Sequence, residues 1–138
     1  MDLDLIVPLF DAYRQFYRQP SDLERARHFL RERFEHNQSI IFLAFERSNA
    51  AGFTQLYPSF SSGALARIFI LNDLFVMPEA RRYGAASALL RAAADYGRCT
   101  GALRLALATE ITNTTAQSLY ERMGWKRDTV FYHYQLQL

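Results

Sequence analysis

The amino-acid sequence predicts a mixed α/β (α+β) fold, a single domain in which helices cover both faces of a mixed central sheet. Three observations lead there. Apolar periodicity switches between helical and strand-like spacing in the order helix, helix, three strands, helix, strand, helix, terminal strands. Residues 67–109 read as strand, helix, strand, a unit whose crossover makes the two strands parallel and right-handed. The chain has 138 residues, half of them hydrophobic, which suits one core in one domain.

Residues 2–17 carry Leu5, Leu9, Ala12, Tyr13, Phe16 and Tyr17 at helical spacing, and Pro20 ends that helix. Ser21-Asp22-Leu23-Glu24 has the form of a capping box, with Ser21 as the cap, opening a second helix on Leu23, Ala26, Leu30 and Phe34. Ser39–Glu46 and Phe53–Tyr57 are β-type runs around a turn at 48–52, and 58–63 reads as a loop. Arg67–Met77 is a long strand stopped by Pro78, and the next helix runs from Arg81 to about Gly97. Leu103–Thr109 is a short buried strand, Asn113–Met123 a helix with Gly124 past its end, and 125–138 one or two strands, with Phe131–Leu136 suited to a sheet.

Net charge is +2, too small to argue for a nucleic-acid partner. Arg25, Arg27, Arg31 and Arg33 alternate with Glu24, Glu32 and Glu35, the pattern of a solvated helix face. No apolar run reaches the roughly 18 residues of a membrane span, so no membrane partner is expected. The acidic start Met1-Asp2-Leu3-Asp4 does not read as a signal peptide, and one cysteine, Cys99, excludes an internal disulfide. The cytoplasm is the expected location, and no metal site is expected.

Function is written most legibly at Arg81-Arg82-Tyr83-Gly84-Ala85-Ala86, which follows the apolar run 68–76 and opens a helix. The first N–H groups of a helix lack internal partners and lie at the positive end of its dipole, so a small-residue turn there suits an anion. Arg81-x-x-Gly84-x-Ala86, with Asp73–Pro78 before it and Asn113-x-x-Ala116-x-x-Leu119-Tyr120-Glu121-x-x-Gly124-Trp125 after it, resembles the GNAT superfamily of acetyl-CoA-dependent N-acetyltransferases over essentially the whole chain. Members usually begin with a short strand before the first helix. That first edge strand is expected to be missing here, leaving a sheet edge open for a partner and a homodimer possible.

The resemblance implies that acetyl-CoA is the co-substrate. Arg81, Arg82, Tyr83, Gly84, Ala85 and Ala86 would hold its pyrophosphate, Leu74, Phe75 and Val76 would lie along its pantetheine arm, and Asn113 would contact it. A main-chain N–H near Leu74 or Phe75 would polarise the thioester carbonyl. Tyr120 would protonate the leaving thiolate. Asp73 is the candidate for binding or deprotonating the amine, with Glu110 and His133 as lesser options; Asn72 stands where relatives have a glutamate. Tyr57 and Phe60 are the aromatics expected to face the acceptor, a primary amine of a small molecule (polyamine- or amino-acid-like) or a peptide. A non-catalytic acyl-CoA sensor on the same fold is the competing reading. Cys99 reads as structural rather than as an acyl carrier.

Overall fold

The computed structural model describes residues 3–81 and 83–138; the expectations for Asp2 and Arg82 lie outside the described residues. The chain divides into two compact units, residues 1–108 and 109–138.

The first unit opens with helices α1 (Leu3–Phe16) and α2 (Leu23–Glu35). The cap of α2 differs from the capping-box expectation. Asp22 caps it, its carboxylate accepting from the Arg25 N–H at 3.1 Å. Ser21 instead donates to the Asp11 carboxylate of α1 at 2.6 Å, and the Asp22 N–H donates to the same group at 2.8 Å. Asp11 thus binds the α1–α2 turn from within, and a hydroxyl committed to a carboxylate is not available to a helix end.

Four strands follow: β1 (Ile40–Glu46), β2 (Asn49–Ser61), β3 (Ala66–Val76) and β4 (Leu105–Ala106), with helix α3 (Ala85–Cys99) between β3 and β4. The sheet order is β1-β2-β3-β4, antiparallel across β1–β2 and β2–β3 and parallel across β3–β4, the parallel crossover expected for residues 67–109. The segment 58–61, expected to be a loop, is the end of β2. Pro58 is tolerated there because β1 pairs with β2 only as far as Leu56, so the missing N–H faces a side with no ladder. β4 is shorter and less covered than the buried strand expected over 103–109: its two residues, and Leu107 after them, are only half-buried.

The two faces of the sheet are covered separately. Ile6, Val7, Leu9 and Phe10 of α1 and Ala26 and Leu30 of α2 pack on Phe53 and Phe75. On the other face Leu89 of α3 packs with Ala51, Val76 and Ala80, and Tyr96 stacks against Phe42 and Phe69. Each fully buried Leu, Ile, Val or Phe among them contributes on the order of 1.5–3 kcal/mol by leaving water.

In the second unit α4 (Thr114–Arg122) is capped by Asn113, whose side-chain oxygen accepts from the Ala116 N–H at 3.2 Å. Residues 125–138, expected to form strands, carry none among the described residues. An extended segment becomes a strand only when its backbone groups find a ladder, and here the turn at 128–131 is held by the Asp128 carboxylate, which accepts from the Val130 and Phe131 N–H groups.

β2 approaches the end of β3 most tightly at Gly52. A Cβ there would sit 2.8 Å from the Phe75 carbonyl oxygen and 3.1 Å from Val76 Cγ2. Gly52→Ala should therefore lower unfolding free energy by about 1–3 kcal/mol in a denaturant titration.

Candidate active site

The site is built around a fault in the β2–β3 ladder. Gln55 pairs with Asp73 and Leu56 with Leu71, so Asn72 is an inserted residue with no partner on β2. In an unbroken strand, residues 71 and 73 would share a face. The bulge puts Leu71 on the face of Leu56 and Asp73 on the face of Gln55, which is the face covered by α1. A carboxylate is thereby turned into an aromatic core, while Asn72 stays exposed.

Asp73 is 4% exposed and fully partnered. Gln55 Nε2 donates to its Oδ2 at 2.7 Å and Asn72 Nδ2 to its Oδ1 at 3.2 Å, and the Tyr13 phenol lies near enough to favour the charged carboxylate. Ser39 Oγ donates to Gln55 Oε1 at 2.5 Å, which fixes the amide so that its N–H points at Asp73. Burial raises the Asp73 carboxyl above the ordinary carboxylate range, and these hydrogen bonds only partly oppose it. Burial, and then the neighbouring Asp73, push Tyr13 and Tyr57 far up, so both phenols keep their protons. Around this polar centre Tyr13 packs edge-on against Tyr17, Phe53 and Phe75. Gln55 is a direct partner of the carboxylate and Tyr13, which the periodicity marks only as a helix-face residue, lies beside it.

Beyond Asp73, β3 loses its second neighbour. β4 pairs only with Phe69 and Ile70. The Met77 N–H donates to the Ala51 carbonyl at 2.8 Å, which places Phe75 and Asp73 in the positions that bond toward β2. Leu74 and Val76 then turn their N–H and C=O groups to the side that β4 has left. Arg81 Nε takes the Val76 carbonyl at 2.9 Å, and its guanidinium lies over the rings of Phe16 and Phe75, at 5.3 and 5.7 Å. The sequence expectation gave Arg81 to a phosphate; the structure commits its Nε to tying the turn after β3 to the strand and to α1.

The turn closes on Gly84 at φ +79°, a left-handed conformation that L side chains rarely adopt, with nothing within 4 Å of where a Cβ would stand. No side chain caps α3, and no acidic residue lies in its first turn. Its leading N–H groups at Ala85, Ala86 and Ser87 lack intrahelical acceptors, and Tyr83 beside them is exposed. Open donors at the head of a 15-residue helix, a bare turn and a strand edge beside them fit a diphosphate carrying an extended amide chain.

The structure does not gather every predicted residue here. Phe60 lies five residues beyond Gln55 on β2, about 17 Å away at strand rise, with Arg67 over its ring at 5.5 Å. Tyr57 remains close enough to Asp73 to feel its charge. In the second unit the Tyr120 ring lies 6.0 Å from Trp125, whose N–H donates to the Tyr120 carbonyl at 3.0 Å. Glu110 is exposed, and its carbonyl accepts from Gln117; exposed His133 sits 3.5 Å from Asp128. Cys99 is exposed at the end of α3 rather than packed as a structural residue would be. Among the described residues no cluster of metal-ligating side chains occurs, and no helix is long and apolar enough to cross a membrane.

The family model of the GNAT acetyltransferases matches residues 6–125. The chain belongs to the GNAT acetyltransferase family. It is 53% identical over 135 residues to the uncharacterized N-acetyltransferase YhfO of Bacillus subtilis (strain 168), covering 98% of this chain and 91% of that protein. A crystal structure of a probable acetyltransferase superposes with a TM-score of 0.93 at 43% identity, over 99% of this chain and 91% of that one. The thialysine N-epsilon-acetyltransferase of Caenorhabditis elegans is 25% identical over 120 residues, 87% of this chain and 74% of that protein. The protein is a GNAT-family N-acetyltransferase.

The Asp73 environment has a consequence for stability. A buried carboxyl with a raised folded-state pKa favours folding most when protonated, and that contribution is lost as pH rises through the raised value. Asp73→Asn should therefore melt above the parent at neutral pH, and the difference should close as pH falls toward the ordinary carboxylate value of 3.8. Thermal melts from pH 3 to 8 check this; a pH-independent difference would contradict it.

Proposed function

We propose that this enzyme moves the acetyl group of acetyl-CoA directly to a primary amine of a small, amino-acid-like molecule or a peptide, with Asp73 receiving the amine. The observation that carries the reading is the bulge at Asn72, which aims a partnered, buried carboxylate at the face beside the open edge of β3. The whole chain is read as one acetyltransferase domain, since the family model runs across both units. The thialysine specificity of one relative supports an acceptor of amino-acid size.

Acetyl-CoA supplies an activated acyl group. The N–H groups of Ala85, Ala86 and Ser87, with the turn at Tyr83–Gly84, hold its diphosphate. The outward groups of Leu74 and Val76 pair with its amide arm, and an N–H on this edge polarises the acyl carbonyl. The acceptor arrives protonated, because an alkyl amine has a pKa of about 10.4. Its ammonium displaces the exposed Asn72 amide from Asp73 Oδ1, the one donor to the carboxylate that faces solvent. Asp73 takes a proton from the ammonium, leaving the nitrogen lone pair free to attack. The raised pKa of Asp73 narrows the gap to the amine and makes this transfer less uphill than for an exposed aspartate. Tyr13 and Gln55 hold the carboxylate still throughout. Tyr120, assigned by its place in the Asn113–Trp125 motif, returns a proton to the departing thiolate.

A thiol-release assay over a panel of amines at saturating acetyl-CoA tests the reading. Asp73→Asn should cut kcat/KM by about 10²–10⁴ and remove the acidic limb of the pH–rate profile. Tyr120→Phe should lower kcat and leave coenzyme A affinity as it was. Gly84→Trp should lose coenzyme A binding by calorimetry while the far-UV spectrum stays native. Coenzyme A binding with no turnover on any amine would overturn the enzymatic reading in favour of a sensor.

A further inference from the structure

We propose that the guanidinium of Arg81 reads the acceptor, selecting a short-chain amine that carries a carboxylate. The proposal rests on the reading of Asp73 as the group that receives the amine, and it names the class of molecule that reaches it.

Arg81 leaves the side of the sheet on which its place in the chain would put it. Its Nε donates to the Val76 carbonyl at 2.9 Å. The guanidinium then lies 5.3 Å from the centre of the Phe16 ring and 5.7 Å from that of Phe75. Both rings belong to the α1 side: Phe75 packs with α1 and α2, and Phe16 is the last residue of α1. Helix α3, whose leading N–H groups suit a diphosphate, packs on the other side with Ala51 and Val76. Arg81 thus crosses from the turn before Gly84 onto the face that holds Asp73.

Its charge is not matched there. Among the described residues no carboxylate lies within ion-pairing distance of Arg81. The bond to Val76 uses one of the five N–H donors that a guanidinium carries in a rigid fork. That bond and the two rings fix the plane of the group, so its terminal donors are presented in a set direction. The residue is exposed, and a ligand can reach it from solvent.

Asp73 and Arg81 are therefore opposite charges on one face. Asp73 and Val76, whose carbonyl anchors Arg81, are three residues apart, roughly 10 Å of strand. A hydrogen bond at each end takes about 3 Å, which leaves about 4 Å between an ammonium and an anionic group. A short amino acid, with amine and carboxylate a few bonds apart, fills that span, and the exposed ring of Phe16 offers an apolar wall to its carbon chain. Carboxylate and guanidinium match in shape and form two parallel N–H···O bonds. A polyamine fits poorly, because its second ammonium would meet the guanidinium and be repelled.

The test compares acceptors matched in length, using the full chain. With acetyl-CoA saturating, kcat/KM is measured for β-alanine against ethylamine, γ-aminobutyrate against propylamine and δ-aminovalerate against butylamine. At least one carboxylated member should be preferred by roughly ten- to a hundredfold. Arg81→Gln should bring that ratio close to one, and Arg81→Lys should leave it in between. The ratio is the readout, because lost stability or lost coenzyme A affinity lowers both members of a pair alike. Should the glutamine variant not fold, the lysine variant carries the same comparison. Binding of the same pairs to the coenzyme A complex, followed by amide chemical shifts, separates this proposal from acetyl transfer itself. Selective binding of a carboxylated member without turnover upholds Arg81 and rejects the enzymatic reading. No preference in any pair, by turnover or by binding, overturns the assignment. So does a ratio that survives Arg81→Gln; a fall in coenzyme A affinity with that ratio intact would give the guanidinium to the diphosphate instead.

Discussion

The insertion of Asn72 into β3 is the constraint on which the rest of the molecule turns. One extra residue reverses the alternation of the strand, so Phe69 and Leu71 before it face the α3 side of the sheet while Asp73 and Phe75 after it face the α1 side. Beyond the same point β4 no longer accompanies β3. A buried carboxylate and a bare strand edge thus arise side by side from one irregularity. Burying a charge-bearing group is costly unless it is fully hydrogen-bonded. The Ser39–Gln55–Asp73 chain, with Asn72 donating to the other carboxylate oxygen and the Tyr13 phenol beside it, meets that requirement.

Arg81 joins this arrangement to the turn that leads into Gly84 and α3. Its guanidinium rests on Phe16 and Phe75 and its Nε holds the Val76 carbonyl, so the first helix, the end of β3 and the approach to Gly84 are mechanically one piece. The donors at the head of α3 can then be rigid before any ligand arrives, which is how a site made of backbone groups acquires affinity without large side chains. On the proposed reading, acyl donor and acceptor then meet on adjoining stretches of a single strand.

Much of this was legible from residue order. The helices at 3–16, 23–35, 85–99 and 114–122 followed from apolar periodicity and breakers, and the strand–turn–helix at 67–99 from Pro78 and Gly84. Asp73 and the backbone of 74–76 were singled out from motif resemblance. What escaped was whatever depends on contacts distant in sequence. Tyr13 and Gln55 are ordinary core-pattern residues until the bulge brings Asp73 against them. Ser21 has the right spacing for a cap, but Asp11, ten residues earlier, takes its hydroxyl. Phe60 looked like a substrate-facing aromatic because 58–61 was expected to be a loop; as part of β2 it is carried away from Asp73. The tail from 129 has the period of a strand, but period alone does not say which ladder it joins.

The central claim is that coenzyme A is held by main-chain donors of β3 and α3 beside Asp73. Amide chemical-shift mapping by NMR during a coenzyme A titration addresses it directly. The largest shifts should fall on Leu74, Val76 and Tyr83–Ser87, with smaller changes at Asp73 and none along β1. Shifts concentrated on the far end of the β2–β3 hairpin around Phe60, or scattered with no focus at Gly84, would contradict it.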